Sequence, residues 1–494
     1  MFRYLFSSSS TSRPSAMQSL VAVVGATGTG KSKLAVEIAS RFNGEIINGD
    51  AMQMYRGLPI ITNQIPIEER NGIPHHLISC IDLDEEAWRI GIFRKECLRL
   101  INDIHARGKL PVLVGGTHYY TQSVLFQDSL VTREPLSFDE EIDLQPTEDA
   151  KTAAKWPILD AEPEVVLRKL REVDPAMADR WHPKDRRKIR RSLEIYFQTG
   201  KPASQVYAEQ RQLKQAAAES DTSGPGAGQL RFDTMLLWVH AEKPILNERL
   251  NKRVGVMIDQ GLLSEAHRMW TYIQDKEAQG ISVDQTRGVW VSIGFKELAP
   301  YFDMLRDGTK TKKELEDLKE LCVELVQTAT RQYAGSQIKW IRNKLWTGLA
   351  RVGMNSRLFV LDSTNIGKWT ENITEPSERL VEALLTKKTL PDPKTLSELA
   401  RTTLEAREAQ PQSIDHNTVK CITCDVCHKT MTNEEQWQVH IHSSGHKRAL
   451  KSRAKKTARD EYLRKRQESL ENDQKAVLGT EDNDSEKPPK QPVE

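Results

Sequence analysis

The stretch that decides the fold is residues 20–34, LVAVVGATGTGKSKL. Its first five residues are apolar and rich in β-branched side chains, which is typical of a short buried strand. Residues 25–32 then fit the pattern G-x-x-x-x-G-K-[ST], and the apolar spacing from Leu34 onwards indicates a helix. Because a strand, a glycine-rich loop and a helix follow one another in this order, the stretch is predicted to be a phosphate-binding P-loop.

The predicted P-loop has the chemistry of a diphosphate or triphosphate site. Its glycines allow backbone N–H groups to turn towards the ligand, and the N-terminus of the following helix adds partial positive charge. Lys31 supplies a mobile cation, and the Ser32 hydroxyl is placed to reach a Mg²⁺ ion that bridges phosphates. The predicted diphosphate-binding residues are Gly25, Ala26, Thr27, Gly28, Thr29, Gly30, Lys31 and Ser32.

The residues around the P-loop do not decide which phosphate ligand it binds. P-loop ATPases and GTPases normally hold Mg²⁺ with an Asp at the end of a later strand. The best later strand, residues 109–114, runs instead into Gly115-Gly116-Thr117, and the carboxylate found at a strand end is Asp50. Two ligands are therefore compatible with the loop: a diphosphate that acts as a leaving group, or the ATP of a small-molecule or nucleotide kinase.

Length and composition narrow the class of protein. The 494 residues carry a formal net charge of only +2, so any basic surface must be local. The six cysteines show no regular spacing along the chain, which argues against a disulfide framework. No apolar run approaches the length of about 18 residues that a membrane span needs. The length suits two or three domains, and we expect a monomer that does not enter a membrane.

The first 18 residues have the composition of a mitochondrial targeting segment. They contain Arg3, Arg13 and a serine run, and no acidic residue occurs before Glu37. A merely disordered tail is the alternative. Met17 lies directly before the first predicted strand, so we hypothesise that initiation at Met1 or Met17 gives mitochondrial and cytosolic or nuclear forms.

Beyond the P-loop, predicted strands alternate with predicted helices. This order is typical of an α/β fold with a parallel, doubly wound sheet. We assign residues 19–370 to a P-loop catalytic domain, with a helical insertion at about 138–230. We expect residues 371–417 to be a linker, 418–450 a zinc finger, and 451–494 a basic helix with a disordered tail.

Three further segments carry candidate site residues. Asp50 follows the second strand, where open α/β sheets bind ligands, although a turn role also fits an Asp there. The pair His75-His76 is either structural or in contact with substrate. Arg249 and Arg253 lie four residues apart on a predicted helix, so they share a face and suit a diphosphate.

A basic segment at residues 185–194, DRRKIRRSLE, carries five basic residues on about two helical turns. A solvated charged face is one interpretation. Contact with a phosphate backbone, through Arg187 and Arg190 in particular, is the other.

The C-terminal region contains a zinc-binding pattern. Cys424, Cys427, His440 and His446 have the spacing of a C₂H₂ zinc finger, with Cys421 and His442 as spare ligands. Trp437 and Val439 are expected to form its small core. The segment WQVHIHSSGHKR resembles matrin-type fingers, many of which bind RNA, and a basic helix follows it. We expect finger and helix to act as a second contact with RNA.

Taken together, the motifs resemble those of the tRNA dimethylallyltransferases, also called tRNA isopentenyltransferases, in their eukaryotic form. The resemblance covers residues 21–361. The matching blocks, in order, are GATGTGKS, DAMQMYRGL, IPHHL, LPVLVGGTHYYTQSVL, HPKDRRKIRRSLEIYFQTGKPAS, ERLNKRVGVMIDQGL, SIGFKEL and TRQYAGSQIKWI. The chain departs from the family pattern at His118, where a Gly is often found, and at Gly335-Ser336, where a basic pair is common.

The resemblance implies transfer of a dimethylallyl group from dimethylallyl diphosphate to N6 of the adenosine 3′-adjacent to the anticodon. It implies that Asp50 accepts the amine proton, and that Thr27 with Arg249 or Arg253 lies at the bridging oxygen of the diphosphate. Bound Mg²⁺ would assist the departing diphosphate. The residues implied to contact tRNA are Asp50, Ala51, Met52, Gln53, Thr117, Arg187 and Arg190.

Two other functions remain as alternatives at this point. One is the kinase named above, and the other is a non-catalytic RNA-binding protein with a vestigial P-loop. The intact Lys31-Ser32 pair and Asp50 argue against the second alternative. Release of phosphate from ATP would favour the kinase.

Overall fold

The computed structural model describes residues 18–127, 156–209, 229–409, 421–427, 429–431 and 434–478. These residues divide into two compact units. The first unit comprises Met1–Pro146 and Glu209–Gln412, and the second comprises Thr147–Ala208 and Ser413–Glu494. The predicted targeting segment therefore lies outside the described residues, apart from its last position.

The first unit is built on a six-stranded sheet. Its strands are β1 (Ser19–Gly25), β2 (Gly44–Asn48), β3 (His75–His76), β4 (Leu110–Val114), β5 (Asp233–His240) and β6 (Leu358–Asp362). Their order across the sheet is β3-β2-β4-β1-β5-β6, and every pairing is parallel. The structure confirms the predicted α/β class.

Helices cover both faces of this sheet. The described helices of the chain are α1 (Lys31–Arg41), α2 (Ile90–Ala106), α3 (His118–Leu125), α4 (Pro163–Val173), α5 (Pro175–Arg180), α6 (Arg186–Thr199), α7 (Lys243–Asp259), α8 (Leu262–Ala278), α9 (Phe295–Asp307), α10 (Lys312–Trp340), α11 (Trp346–Arg351), α12 (Glu375–Leu385), α13 (Glu398–Glu408), α14 (Glu434–His442) and α15 (Ser444–Leu478). A short π-helix, Ile341–Leu345, joins α10 to α11. None of the helices in the described part of the chain is long and apolar enough to cross a bilayer.

The central strand β1 shows why the sheet is buried on both sides. Leu20, Ala22 and Val24 pack into one hydrophobic cluster, which includes residues of α2. Val21 and Val23 point the other way, into a second cluster with residues of α1. Since successive side chains of a strand alternate between faces, an unbroken apolar strand requires an apolar layer on each side.

The prediction of a linker over residues 371–417 is wrong for the part that the structure describes. Residues Glu375–Leu385 form α12, which places Leu380, Val381 and Leu384 in the cluster beneath α1. Residues Glu398–Glu408 form α13, with Ala400 and Leu404 buried. Burial of these apolar stripes stabilises the helices.

The second unit contains α4 to α6 and the finger with its basic helix. In the finger, β7 (Ile422–Thr423) pairs with β8 (Thr430–Met431) in an antiparallel hairpin. The N–H of Cys421 donates to the carbonyl of Asp179 at 2.9 Å, which joins the finger to α5 within this unit. The polar composition beyond Glu468 predicts a disordered tail, but α15 extends to Leu478, so residues 469–478 are helical. Two parts of the predicted insertion, residues 138–155 and 210–228, lie outside the described residues.

Two expected core positions are exposed. Val439 was predicted to belong to the core of the finger, but its side chain is 73% exposed, and the finger buries Cys424, Met431 and His446 instead. The apolar spacing along residues 88–106 predicts that Ile92 lies with Ile101 and Ile104 on the apolar side of α2, but Ile92 is 48% exposed, while Ile101 and Ile104 are fully buried. Helical spacing predicts which residues share a face of a helix, but the packing of the fold decides which part of that face is buried.

Candidate active site

Three strand ends meet at one edge of the sheet. Because β4 lies between β2 and β1, Asp50 after β2 and Gly115-Gly116-Thr117 after β4 lie beside the P-loop after β1. The carboxyl edge of a parallel sheet is where such folds bind ligands. The structure therefore brings together residues that are separated by many positions in the sequence.

The P-loop leads from β1 directly into α1. Gly30 precedes the helix with a φ of 93°, and a Cβ there would lie 2.5 Å from the indole ring of Trp369, so this position requires glycine. The ammonium of Lys31 donates to the Ala26 carbonyl at 2.7 Å. Burial lowers the pKa of Lys31 to about 8, although nearby Asp50 opposes this shift.

The two predicted arginines of α7 have different partners. Arg253 donates from Nη2 to the Thr27 hydroxyl oxygen at 2.9 Å, and burial lowers its pKa to about 10. Arg249 donates to backbone carbonyls of Gly28 at 3.3 Å and Ser363 at 2.9 Å. Arg253 therefore binds a side chain of the P-loop, whereas Arg249 ties the loop to the segment after β6.

Backbone N–H groups lie around the carboxylate of Asp50. This carboxylate accepts a hydrogen bond from the N–H of Met52 at 3.1 Å, and the backbone N–H groups of Gln53 and Gly116 lie close to it. The Asn48 side chain accepts from the Asp50 N–H at 3.0 Å and donates to the Asp50 carbonyl at 2.9 Å. Burial raises the pKa of Asp50, and these N–H groups together with the Lys31 charge limit that rise. A carboxylate with a raised pKa and fixed geometry suits proton transfer.

Thr117 lies next to these N–H groups. Its hydroxyl accepts from the N–H of Ala51 at 3.1 Å, which connects the turn after β4 to the residue that follows Asp50. Met52 and Gln53 lie in a short 3-10 helix directly after Ala51. The side chain of Gln53 donates to the Asn63 carbonyl at 2.9 Å. These four predicted tRNA-contacting residues thus lie at the same edge of the sheet as Asp50.

Gln337 of α10 is a site residue to which the sequence reasoning assigned no role. Its side chain is 4% exposed and lies between the P-loop and the turn after β4. Its Oε1 accepts from the Thr27 N–H at 2.8 Å, and its Nε2 donates to the Gly116 carbonyl at 2.9 Å. The block TRQYAGSQIKWI drew attention to this segment, but spacing on a helix does not reveal a partner 310 positions away.

His118 begins α3 and is buried close to the site. Its ring centroid lies 5.5 Å from that of Trp340. Burial lowers its pKa to about 3, with a smaller effect of the Lys31 charge in the same direction. The imidazole is therefore neutral at physiological pH and adds no charge where a diphosphate would bind.

The histidine pair and the basic helix have structural partners. His76 Nε2 lies 2.7 Å from the Glu45 carboxylate, and His75 Nδ1 lies 2.8 Å from the Ile73 carbonyl, so the structural interpretation of the pair is the one supported. In α6, Lys188 pairs with Asp185 and Arg191 with Glu194.

The two residues predicted to contact RNA from α6 differ in what is described of them. The side chain of Arg187 lies outside the described residues. Arg190 is half-buried on the same helix. Contact with RNA through α6 thus stays a prediction.

The four predicted zinc ligands come together in the finger. One ligand atom from each of Cys424, Cys427, His440 and His446 lies within 4.8 Å of the others. Two thiolates and two imidazoles are a donor set that suits a structural Zn²⁺. The spare candidates have other partners: Cys421 donates from Sγ to the Arg180 carbonyl, and His442 bonds to the Gln438 carbonyl.

Comparisons with known proteins show the family to which the chain belongs. A family model described as IPP transferase matches residues 53–344. The chain is 33% identical to the tRNA dimethylallyltransferase of Saccharomyces cerevisiae, over 92% of this chain and 96% of that protein. It is 34% identical to the tRNA dimethylallyltransferase of Homo sapiens, over 88% of this chain and 86% of that protein.

A solved structure is also similar. It is described as a eukaryotic dimethylallyltransferase acting on tRNA, and it matches with a TM-score of 0.66 at 32% identity, over 90% of this chain and 99% of that chain. Both the sequence relatives and this structure match nearly the whole chain rather than the P-loop alone. The chain therefore belongs to the IPP transferase family, together with these tRNA dimethylallyltransferases.

Proposed function

We propose that this chain transfers the dimethylallyl group of dimethylallyl diphosphate to N6 of the adenosine 3′-adjacent to the anticodon of tRNA. The observation that carries this proposal is the position of Asp50 beside Lys31, Thr27 and Arg253. One edge of the sheet thus presents a proton acceptor next to a cradle for a leaving diphosphate. Membership of the family and the tRNA named for the relatives support the choice of substrates.

In the proposed reaction, a bond forms between N6 and the allylic carbon as the bond from that carbon to the diphosphate oxygen breaks. The exocyclic amine is a weak nucleophile, and its proton passes to the Asp50 carboxylate. Negative charge develops on the departing oxygen. Because the Thr27 oxygen accepts from Arg253, its own O–H can donate to that oxygen. Lys31 and Arg253 stabilise the charge that forms.

A Mg²⁺ ion fits the same region. Ser32 supplies a hydroxyl at the second position of α1, and Mg²⁺ typically takes one or two protein ligands together with phosphate oxygens and water. Such an ion would neutralise part of the diphosphate charge. The residues that would hold it are Ser32 and, through the ligand, the P-loop.

Recognition of tRNA has two proposed components. The target base is stacked in the anticodon loop, so it must be flipped out to reach Asp50, and Met52, Gln53 and Thr117 would contact it. The finger and α15 form the second component. Exposed basic residues of α15 suit the phosphate backbone; they are Lys447, Arg448, Lys451, Arg453, Lys455, Lys456 and Arg459.

The test is transfer of radiolabel from dimethylallyl diphosphate to unmodified tRNA by the purified protein with Mg²⁺. We expect label in tRNA with the native chain and a loss of about 10²- to 10⁴-fold in rate with Asp50→Ala, the usual range for a general base. Asp259→Ala, an exposed position at the end of α7, is the matched control and should transfer normally. No label with the native chain, together with ATP turnover, would replace this proposal with a kinase.

We also propose that the chain is made in two forms, a mitochondrial one from Met1 and a cytosolic or nuclear one from Met17. The acid-free, serine-rich composition before Met17 supports this. Immunoblotting of cells that express Met17→Ala should show loss of the shorter species. Persistence of two bands in the variant would contradict it.

A further inference from the structure

We infer that Gln337 is a positioning residue that fixes the diphosphate cradle relative to the proton acceptor, an inference that rests on the proposed function. Its primary amide contacts one element of each half of the site. The acceptor end holds the Thr27 N–H at 2.8 Å, and the donor end holds the Gly116 carbonyl at 2.9 Å. Thr27 belongs to the P-loop, which is proposed to bind the diphosphate. Gly116 lies against Asp50, the proposed proton acceptor.

The chemistry of the amide suits this role. An amide has an acceptor and a donor at opposite corners of one planar group, so a single orientation satisfies both partners. Both of these partners are backbone groups, and a buried backbone group that loses its partner destabilises the structure. Gln337 itself is 4% exposed, so its position is set by packing as well as by the two bonds.

The contact with Gly116 extends to Asp50. The Gly116 carbonyl accepts from Gln337, and the Gly116 backbone lies against the Asp50 carboxylate. A Cβ built on Gly116 would lie 2.6 Å from Gln337 Nε2 and 2.7 Å from Asp50 Oδ2. Gly116 is therefore packed directly between the two side chains, and a shift of one is transmitted to the other.

The contact with Thr27 changes how the P-loop meets its ligand. The Thr27 N–H is used by Gln337, so the residue faces the diphosphate with its hydroxyl, whose oxygen accepts from Arg253. Gln337 holds the backbone of Thr27 while Arg253 holds its side chain. Because a misplacement of about 1 Å can cost about 10²-fold in rate, loss of this support should be visible in catalysis.

The experiment compares Gln337→Met with Thr330→Val. Methionine has nearly the same length and volume as glutamine but cannot make the two hydrogen bonds. Thr330 is buried on the same helix, and its hydroxyl bonds to the Val326 carbonyl of that helix. Thr330→Val therefore removes a buried hydrogen bond from α10 without changing a contact to the P-loop or to Gly116. Thermal unfolding of both variants verifies that each is folded.

With radiolabel transfer as the readout, Gln337→Met should lower kcat about 10- to 100-fold and raise KM for dimethylallyl diphosphate. We expect KM for tRNA within about twofold of the native value. Thr330→Val should keep native kinetics. A kcat for Gln337→Met within about twofold of the Thr330→Val value, or a change confined to KM for tRNA, would overturn the inference.

Two further measurements separate the possible failures. Titration calorimetry with inorganic pyrophosphate tests the Thr27 contact without turnover, and Gln337→Met should bind it more weakly than Thr330→Val does. If Gln337→Met does not fold, Gln337→Asn keeps the amide but is too short for both partners, and the same loss in kcat is expected. Failure of the native chain to transfer label would contradict the proposed function, whereas equal pyrophosphate binding by the two variants would contradict this inference alone.

Discussion

The Nη2 atom of Arg253 lies 2.9 Å from the Oγ1 atom of Thr27, across a separation of 226 residues in the sequence. This bond joins α7 to the P-loop at the residue proposed to face the bridging oxygen. Arg249, one turn earlier on α7, bonds instead to the carbonyls of Gly28 and Ser363. Two arginines that the sequence could not tell apart therefore have separate roles in the structure.

Substitution of the two arginines should give different kinetic results. We expect Arg253→Gln to lower kcat about 10²- to 10³-fold, because a donor to the charge that develops is lost. Arg249→Gln should lower the melting temperature and change kcat less than about fivefold, since it removes bonds to backbone carbonyls. Steady-state label transfer and thermal unfolding of both variants measure this. Equal losses of kcat would show that both arginines contact the diphosphate.

The charge on Lys31 should limit activity at alkaline pH. Its pKa is about 8 because burial lowers it, so in the free protein the ammonium loses its proton as the pH rises through that value. We expect kcat/KM for dimethylallyl diphosphate to fall above about pH 8, while kcat falls at a higher pH because the bound diphosphate favours the charged form. Lys252→Ala, an exposed lysine of α7, should leave the profile unchanged. A profile that stays flat up to about pH 9.5 would contradict the role of Lys31.

Glu45 should make the fold sensitive to acid. Burial alone would raise its pKa, but hydrogen bonds from His76, Lys109 and Arg107 lower it to about 2. A carboxylate with a lowered pKa in the folded state contributes stability above its unfolded pKa of about 4.3, and this contribution is lost as the pH falls towards 2.

The measurement is urea unfolding of the native chain and Glu45→Gln between pH 7 and 3. We expect the variant to be less stable by about 2 kcal/mol at pH 7, and this difference to shrink as the pH falls below about 4. Glu85→Gln, at an exposed position, is the control. A difference in stability that does not depend on pH would mean that Glu45 and its partners stabilise the fold through packing rather than charge.

Zinc should be bound by the finger and should strengthen tRNA binding. Cys427→Ala removes one of four ligands, so we expect loss of about one zinc per chain by atomic absorption. KM for tRNA should rise about tenfold and kcat should change little, because none of the zinc ligands takes part in the proposed reaction. His442→Asn is the matched control, since the His442 ring bonds to the Gln438 carbonyl. Truncation after Thr418 should have the same effect as Cys427→Ala, and an unchanged KM for tRNA would contradict the RNA role of the finger.

The P-loop and the finger could be predicted because each is a local pattern. Gly30, Lys31 and Ser32 act through their own backbone and through the helix that they begin. The eight-residue pattern of the P-loop is therefore enough to predict a phosphate site. The four zinc ligands likewise occur within 23 residues, from Cys424 to His446, and the structure confirms their grouping. The resemblance to a known family extended these local predictions to the substrates.

The roles of Gln337, Arg249 and residues 371–409 could not be predicted in this way. Gln337 and Arg249 owe their roles to partners more than 100 residues away, and nothing in their own neighbourhood on the chain indicates them. Residues 375–385 were expected to belong to a linker, yet α12 covers the apolar face of α1 and β1.

The sequence by itself determined the presence of a phosphate site, a zinc finger and an α/β sheet, because hydrogen bonding within a loop and alternation along a strand depend on neighbouring residues. Only the tertiary structure decided that Gly116 lies between Asp50 and the P-loop, and that Gln337 connects Gly116 to Thr27. The physical reason is the strand order β2-β4-β1, which the chain reaches through crossovers whose packing no local pattern specifies.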